Sequence, residues 1–240
     1  MLSNSSAPHP HFDLVVPVYN EEAGLPEFFR RLDNLQLNCQ PIFIDNASSD
    51  SSLALLKNYP NAIVIEHAQN EGYGGSLIDG MEAGSSEYIV VIDADCEYPP
   101  ECIPSIVSAL QSHSVVYASR FLDPTLKKAA NMGFVKTNGN RLFSYAYNKL
   151  FDQQTTDLYT GCKGLQRSAL NDIVFEQKGF EHVTELAVKL ATKGHYIYDI
   201  AIQYEPRATG TSKMRYLQDG AKFFKLLSHY YRLHRQRKLA

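Results

Sequence analysis

The sequence predicts an α/β fold, a mostly parallel sheet carried in a single domain. Apolar runs of strand length alternate with helical spacings through the first half of the chain, the signature of successive βαβ units. No internal repeat or linker-like stretch divides the chain. Its 240 residues, with 44% hydrophobic and 20% charged side chains, suit one large soluble domain.

The elements follow in order. Phe12-Asp13-Leu14-Val15-Val16-Pro17-Val18 reads as a buried strand, and Leu25, Phe28, Phe29, Leu32 and Leu35 recur behind it at helical spacing. Ile42-Phe43-Ile44 gives a second strand, followed by a polar turn and a short helix from about Ser51. Ala62 to Ile65, Tyr88 to Ile92 and Val115 to Ala118 supply the third, fourth and fifth strands. Beyond Arg120 the rhythm changes. A Lys- and Asn-rich loop leads to an amphipathic helix around Leu142 to Leu150, then to a Gly-punctuated segment, Tyr159 to Gly164. A helix near Val183 to Thr192, a strand near Tyr196 to Tyr204 and a final helix from about Met214 complete the chain.

Composition narrows the function classes. A formal charge of -3 leaves no basic body for nucleic acid. Cys39, Cys96, Cys102 and Cys162 show no CxxC or His-rich spacing, which argues against a zinc site or disulfide framework and for a reducing, cytoplasmic compartment. Residues 1–11 are polar and are expected to form a disordered tail rather than a signal peptide. No stretch approaches the roughly 20 apolar residues of a membrane span.

Ligands of parallel α/β sheets sit outside the carboxyl ends of the strands, and here those ends are polar in a recurring way. The first strand runs into Pro17-Val18-Tyr19-Asn20-Glu21, the second into Asp45-Asn46-Ala47-Ser48-Ser49-Asp50, the fourth into Asp93-Ala94-Asp95-Cys96-Glu97-Tyr98-Pro99-Pro100 and the fifth into Ser119-Arg120. Each alone reads equally as a strand-to-helix turn, since Asp, Asn, Ser and Pro are turn and cap residues. Their recurrence at one edge points to a nucleotide diphosphate. Asp93-Ala94-Asp95 carries the strongest signal. In an extended segment two residues apart share a side, so both carboxylates can face one Mg²⁺ or Mn²⁺, hard ions that bridge carboxylates to phosphates. Asn70-Glu71-Gly72-Tyr73-Gly74-Gly75 opens a helix after the third strand. Its glycines suit either a phosphate at the helix N-terminus or close packing.

The series Pro-Val-Tyr-Asn-Glu, Asp-Asn-Ala-Ser-Ser-Asp and Asp-Ala-Asp-x-x-x-Pro-Pro resembles the GT-A fold of the family 2 inverting glycosyltransferases, a Rossmann-like nucleotide-binding half joined to an acceptor half. Ser119-Arg120-Phe121, Asp157-Leu158-Tyr159-Thr160-Gly161-Cys162-Lys163, Glu205-Pro206-Arg207 and Gly210-Thr211-Ser212-Lys213 are similar to the dolichol-phosphate mannosyltransferase-like branch, which loads a sugar onto a polyprenyl phosphate. The resemblance covers about residues 12–213, the expected catalytic domain, and leaves 214–240 as a basic amphipathic helix. It implies that Pro17, Tyr19 and Glu21 line the nucleoside pocket, with Ile44, Asp45 and Asn46 at the base. It also implies that Asp93, Ala94, Asp95 and Glu97 hold metal and diphosphate, and that Arg120, Arg207 and Lys213 meet phosphates of a GDP- or UDP-sugar or of the acceptor. Arg and Lys suit that chemistry. Two positions depart from the family: Asn46 stands where an Asp usually accepts a hydrogen bond from the base, and Glu97 where the branch usually has Gln.

Glu185 is expected to act as base if the acceptor is a carbohydrate hydroxyl, and to be structural if the acceptor is an already ionised phosphate. From Ala221 onward there are six basic residues and no acidic one, interleaved with Phe, Leu and Tyr. That pattern suits peripheral attachment to the cytoplasmic face of a membrane, or a docking helix whose cations complement its C-terminal dipole. The functional expectation is metal-dependent transfer of a sugar to a polyprenyl phosphate. The alternatives are transfer to a carbohydrate hydroxyl, and a nucleotide-sugar-binding module without turnover.

Overall fold

The computed structural model describes residues 10–126, 134–206 and 216–239. Arg207, Lys213 and the Gly210–Lys213 run therefore lie outside the described residues, as does most of the expected N-terminal tail.

Seven strands form one sheet in the order β3-β2-β1-β4-β6-β5-β7. They are β1 (Phe12–Val18), β2 (Cys39–Asp45), β3 (Ile63–Glu66), β4 (Tyr88–Ile92), β5 (Val115–Ser119), β6 (Cys162–Gln166) and β7 (Ile197–Ala201). The helices are α1 (Leu25–Asn34), α2 (Ser52–Lys57), α3 (Gly72–Ala83), α4 (Ile103–Leu110), α5 (Phe134–Phe151), α6 (His182–Thr192) and α7 (Tyr216–Leu239).

Strand alternation sorts the core onto two faces. Leu14, Val16, Phe43, Val90 and Ile92 pack on one face with Phe28 of α1 and Ile106 and Leu110 of α4. Val15, Ile42, Ile44, Ile89 and Val91 pack on the other with Leu77 of α3, Tyr147 of α5, Leu186 of α6 and Leu227 of α7. Helices on both faces explain why these strands read as continuous apolar runs.

Six strands run one way; β6 runs against its neighbours β4 and β5. This strand was expected only as a Gly-punctuated segment, because Cys-Lys-Gly-Leu-Gln contains no apolar run. Its reversal matters for the site. The start of β6, not its end, reaches the edge where the other strands finish, and it brings Thr160 and Gly161 there. The segment Ile103–Leu110 is a helix that the sequence reading passed over. α7 docks through Phe223, Leu227 and Tyr230, all buried, while Phe224 and Leu233 stay exposed. The middle of this helix, Phe223 to Tyr230, thus packs on the domain.

Candidate active site

The loops at that sheet edge enclose a cleft of about 390 Å³. Pro17, Tyr19, Glu21 and Asn46 line one part of it, and Asp93, Ala94, Asp95, Glu97 and Arg120 line another. Three of the loops turn through a left-handed residue: Asn20 (φ 52°), Ala47 (φ 60°) and Cys96 (φ 58°). Such a conformation costs a non-glycine residue about 1–2 kcal/mol, and side chains exchanged between the first two loops hold it there. The Asn20 Oδ1 accepts the Ser49 N–H at 2.7 Å, the Ser48 Oγ accepts the Asn20 N–H at 3.0 Å, and the Ser52 Oγ accepts the Glu21 N–H at 2.8 Å.

Asp93 and Asp95 both reach the cleft, but from a turn rather than an extended segment, since β4 ends at Ile92. Asp93 Oδ1 accepts the Tyr73 hydroxyl at 3.0 Å, and Asp95 Oδ1 accepts the Glu97 N–H at 3.0 Å. Gly161 is required beside them, because a Cβ there would collide with the Asp93 carboxylate. Burial, then the Asp95 charge, push the Asp93 carboxyl up to about 7, against the pull of Tyr73 and Lys163. Two carboxylates held in mutual repulsion fit a hard divalent cation that phosphate oxygens complete. Glu97 does not join them in a cage: among the described residues no three Asp, Glu, His or Cys side chains converge on one point. Its carboxylate instead accepts the Tyr204 hydroxyl.

Arg120 is held rather than loose. Its Nε and Nη2 donate to the two oxygens of Asp157 at 2.7 and 2.8 Å, and its guanidinium lies 5.1 Å from the Tyr98 ring centre. Asp157 is fully buried and also accepts the Arg120 N–H and the Asn140 Nδ2. The carboxylate that positions Arg120 was visible only as part of a motif and had been given no role.

Three expected positions fall outside the cleft lining. Ile44 is fully buried in the core against α3, so it packs the sheet and does not read a base. Asp45 is 1% exposed and accepts the Ser48 N–H at 3.1 Å, closing its own turn. Glu185 is fully buried on α6, where it accepts the Glu176 and Gln177 N–H groups, the Lys189 ammonium at 2.6 Å and the Tyr230 hydroxyl at 2.9 Å. Burial alone would push its carboxyl up, but Lys189 and those donors more than reverse this and hold it low. A base needs a free lone pair toward its substrate, and Glu185 spends its own tying α6 to α7.

The glycines of Asn70–Gly75 serve packing, because a Cβ at Gly74 would overlap His182 and the Gln177 carbonyl. Tyr73 and Phe180, which line the cleft as a stacked pair with ring centres 5.2 Å apart, were not anticipated, nor was Phe223 of α7. Tyr73 lay inside a motif read only for its glycines, and Phe180 and Phe223 carried no pattern that placed them at the cleft.

Residues 13–174 match the family described as Glycosyl transferase family 2. The chain is 28% identical over 236 residues to the dolichol-phosphate mannosyltransferase of Pyrococcus furiosus, covering 92% of this chain and 62% of the relative. It is 26% identical over 213 residues to the undecaprenyl-phosphate 4-deoxy-4-formamido-L-arabinose transferase of Aeromonas hydrophila, covering 83% and 61%. It thus spans less than two thirds of the length of these curated relatives. The fold superimposes on glucosyl-3-phosphoglycerate synthase from Mycobacterium tuberculosis in complex with Mn²⁺, UDP-glucose and phosphoglyceric acid, with a TM-score of 0.69 at 17% identity over 92% of this chain and 80% of that one.

Proposed function

The chain belongs to glycosyl transferase family 2, and from that premise we propose that it moves a sugar from a nucleotide diphosphate to a polyprenyl phosphate, with inversion. The cleft carries this reading: paired acidic groups and a fixed Arg share one part of it, beside the part lined by Pro17, Tyr19, Glu21 and Asn46. The acceptor class is supported by the names of the two relatives, both of which act on lipid phosphates.

In the proposed reaction an ionised phosphate oxygen attacks the anomeric carbon while the bond to the nucleoside diphosphate breaks in line. A Mg²⁺ or Mn²⁺ held by Asp93 and Asp95 would supply Lewis-acid stabilisation of the departing diphosphate. The protein's own part is positional. Tyr73 and Gly161 fix Asp93, and Asp157 fixes Arg120 toward the phosphates, where a preorganised cation stabilises charge as it develops. Arg207 and Lys213 are assigned to the same phosphates on their motif alone. No described helix is long and apolar enough to cross a membrane. The proposed approach of this domain to a lipid is peripheral. The exposed Phe224 and Leu233 and the basic end of α7 suit it.

No proton need leave a phosphate acceptor, so Glu185→Gln is expected to keep at least about a tenth of parental turnover at a temperature where circular dichroism shows it folded. The assay supplies labelled nucleotide sugars with polyprenyl phosphate, with free sugars, or with neither. Product on sugars alone, together with a loss of about 100-fold or more in the variant, typical of a missing base, would replace the lipid reading with a hydroxyl acceptor.

A further inference from the structure

Within that reading, we infer that Arg31, on α1 and outside the cleft, is a positioning residue for the proposed metal site. It braces the loop that carries Asp93 and Asp95 against the segment that ends in Tyr204 and Glu205. Its guanidinium is shared between two carboxylates, 70 and 174 positions away along the chain. Nε and Nη2 donate to the two oxygens of Glu101 at 3.0 and 2.5 Å, and Nη1 and Nη2 donate to those of Glu205 at 2.8 and 3.1 Å. Glu101 follows the acidic loop, in the short 3-10 turn Pro100–Cys102 before α4. Glu205 lies just beyond β7, which ends at Ala201.

The contacts close a ring. The Asp95 Oδ1 accepts the Glu97 N–H at 3.0 Å, the Glu97 carbonyl accepts the Glu205 N–H at 3.2 Å, and the Glu97 carboxylate accepts the Tyr204 hydroxyl. Glu205 reaches Arg31, and Arg31 returns to Glu101, on the far side of Pro99 and Pro100 from Glu97. Next to Asp95 in this loop stands Cys96, whose left-handed backbone (φ 58°) is its strained point. A non-glycine residue keeps such a conformation only where its surroundings over-determine it, and the ring supplies that constraint.

Exposed ion pairs ordinarily contribute little, unless the geometry is bidentate or several charges form a network. Arg31 meets both conditions, and its side chain is only 12% exposed although its partners are about half exposed. Without the guanidinium, Glu101 and Glu205 would face each other as like charges, and the two segments would part. Arg30, one position earlier, gives the contrast. It pairs in the same bidentate way, at 2.7 and 2.6 Å, but with Glu27 of its own helix, so that pair ties α1 only to itself.

The test compares Arg31→Ala with Arg30→Ala on two readouts. In the metal-free protein, hydrogen exchange in peptides covering 94–101 and 202–206 is expected to quicken in Arg31→Ala and to stay unchanged in Arg30→Ala, with β1 and β4 unchanged in both. In calorimetry with UDP or GDP, whichever the parent binds more tightly, the factor by which Mn²⁺ tightens binding over EDTA should fall at least about tenfold in Arg31→Ala alone. Misplacements on the order of 1 Å carry effects of that size or larger. Arg31→Lys keeps the charge but cannot hold two carboxylates in a fork, so it should fall between. Glu205→Gln, which removes one arm of the brace, takes the place of Arg31→Ala if that variant fails to fold. An unchanged Mn²⁺ factor in Arg31→Ala would overturn the inference, as would faster exchange spread evenly over the sheet, the mark of lost overall stability. A parent with no Mn²⁺-dependent nucleotide binding would sink the nucleotide-sugar reading itself, so the two failures are distinct.

Discussion

Asp95→Asn is expected to abolish divalent-ion-dependent nucleotide binding and to lower sugar transfer by about 100-fold or more, while leaving the protein folded. A metal at a leaving group supplies several kcal/mol, and each factor of ten in rate corresponds to about 1.4 kcal/mol. Stability should respond in the opposite sense. Asp93 is raised from its ordinary 3.8 to about 7, by burial first and by Asp95 second. The folded state then keeps a proton that the unfolded chain releases. The associated stability is fully present below about pH 3.8 and is lost as pH rises through about 7. Removing the Asp95 charge lowers Asp93 and shrinks that loss, so the metal-free variant should be at least as stable as its parent at neutral pH. Urea unfolding at about pH 5 and about pH 8, with Mn²⁺-dependent nucleotide titration alongside, checks both halves. Unchanged metal-dependent affinity would remove Asp95 from the proposed metal site. A destabilisation beyond about 1 kcal/mol at the higher pH would make its carboxylate a structural group.

What the sequence made legible was what repeats along it. Strands buried on both faces announce themselves as apolar runs, and Asp, Asn and Ser at four strand ends placed the cleft before any coordinates. β6 stayed hidden because its central position is won by tertiary contacts: Lys163, fully buried, lies 5.3 Å from the Tyr117 ring centre in the middle of the sheet. No local preference of Cys-Lys-Gly-Leu-Gln announces that. Ile44, Asp45 and Glu185 show a second limit. A strand-end pattern names an edge, but one residue's shift decides between core and cleft, because adjacent side chains point to opposite faces. Glu185 sits one turn into α6 with four donors from three segments, and only the packing of α6 on α7 brings Tyr230 to it. Asn46 shows the converse: its departure from the family was plain in the sequence, whereas its orientation depends on the Glu71 backbone N–H, 25 residues away.

Asp157→Ala is expected to cost about 3–5 kcal/mol of folding stability, the usual price of stripping the partner from a buried charge. Arg120 is 6% exposed and Asp157 fully buried, and their two hydrogen bonds are short and parallel. Without the carboxylate, the guanidinium, the Arg120 backbone N–H and the Asn140 amide all lose an acceptor in a region that water barely reaches. For a chain of this size the loss corresponds to a fall in melting temperature on the order of 10 °C. Asp157→Asn, which keeps one acceptor oxygen, should lose less. The double variant Asp157→Ala with Arg120→Met removes both charges and should recover much of the stability, since a buried pair replaced by apolar groups is often nearly neutral. It should not recover turnover, because the cleft then lacks the cation proposed to face the phosphates. Urea unfolding of the parent, the single variants Asp157→Ala and Arg120→Met, and the double variant gives the coupling between the two residues. A loss below about 1 kcal/mol for Asp157→Ala would mean that solvent screens the pair despite its burial. Full turnover in the double variant would mean that Arg120 braces the cleft wall and does not act on phosphate.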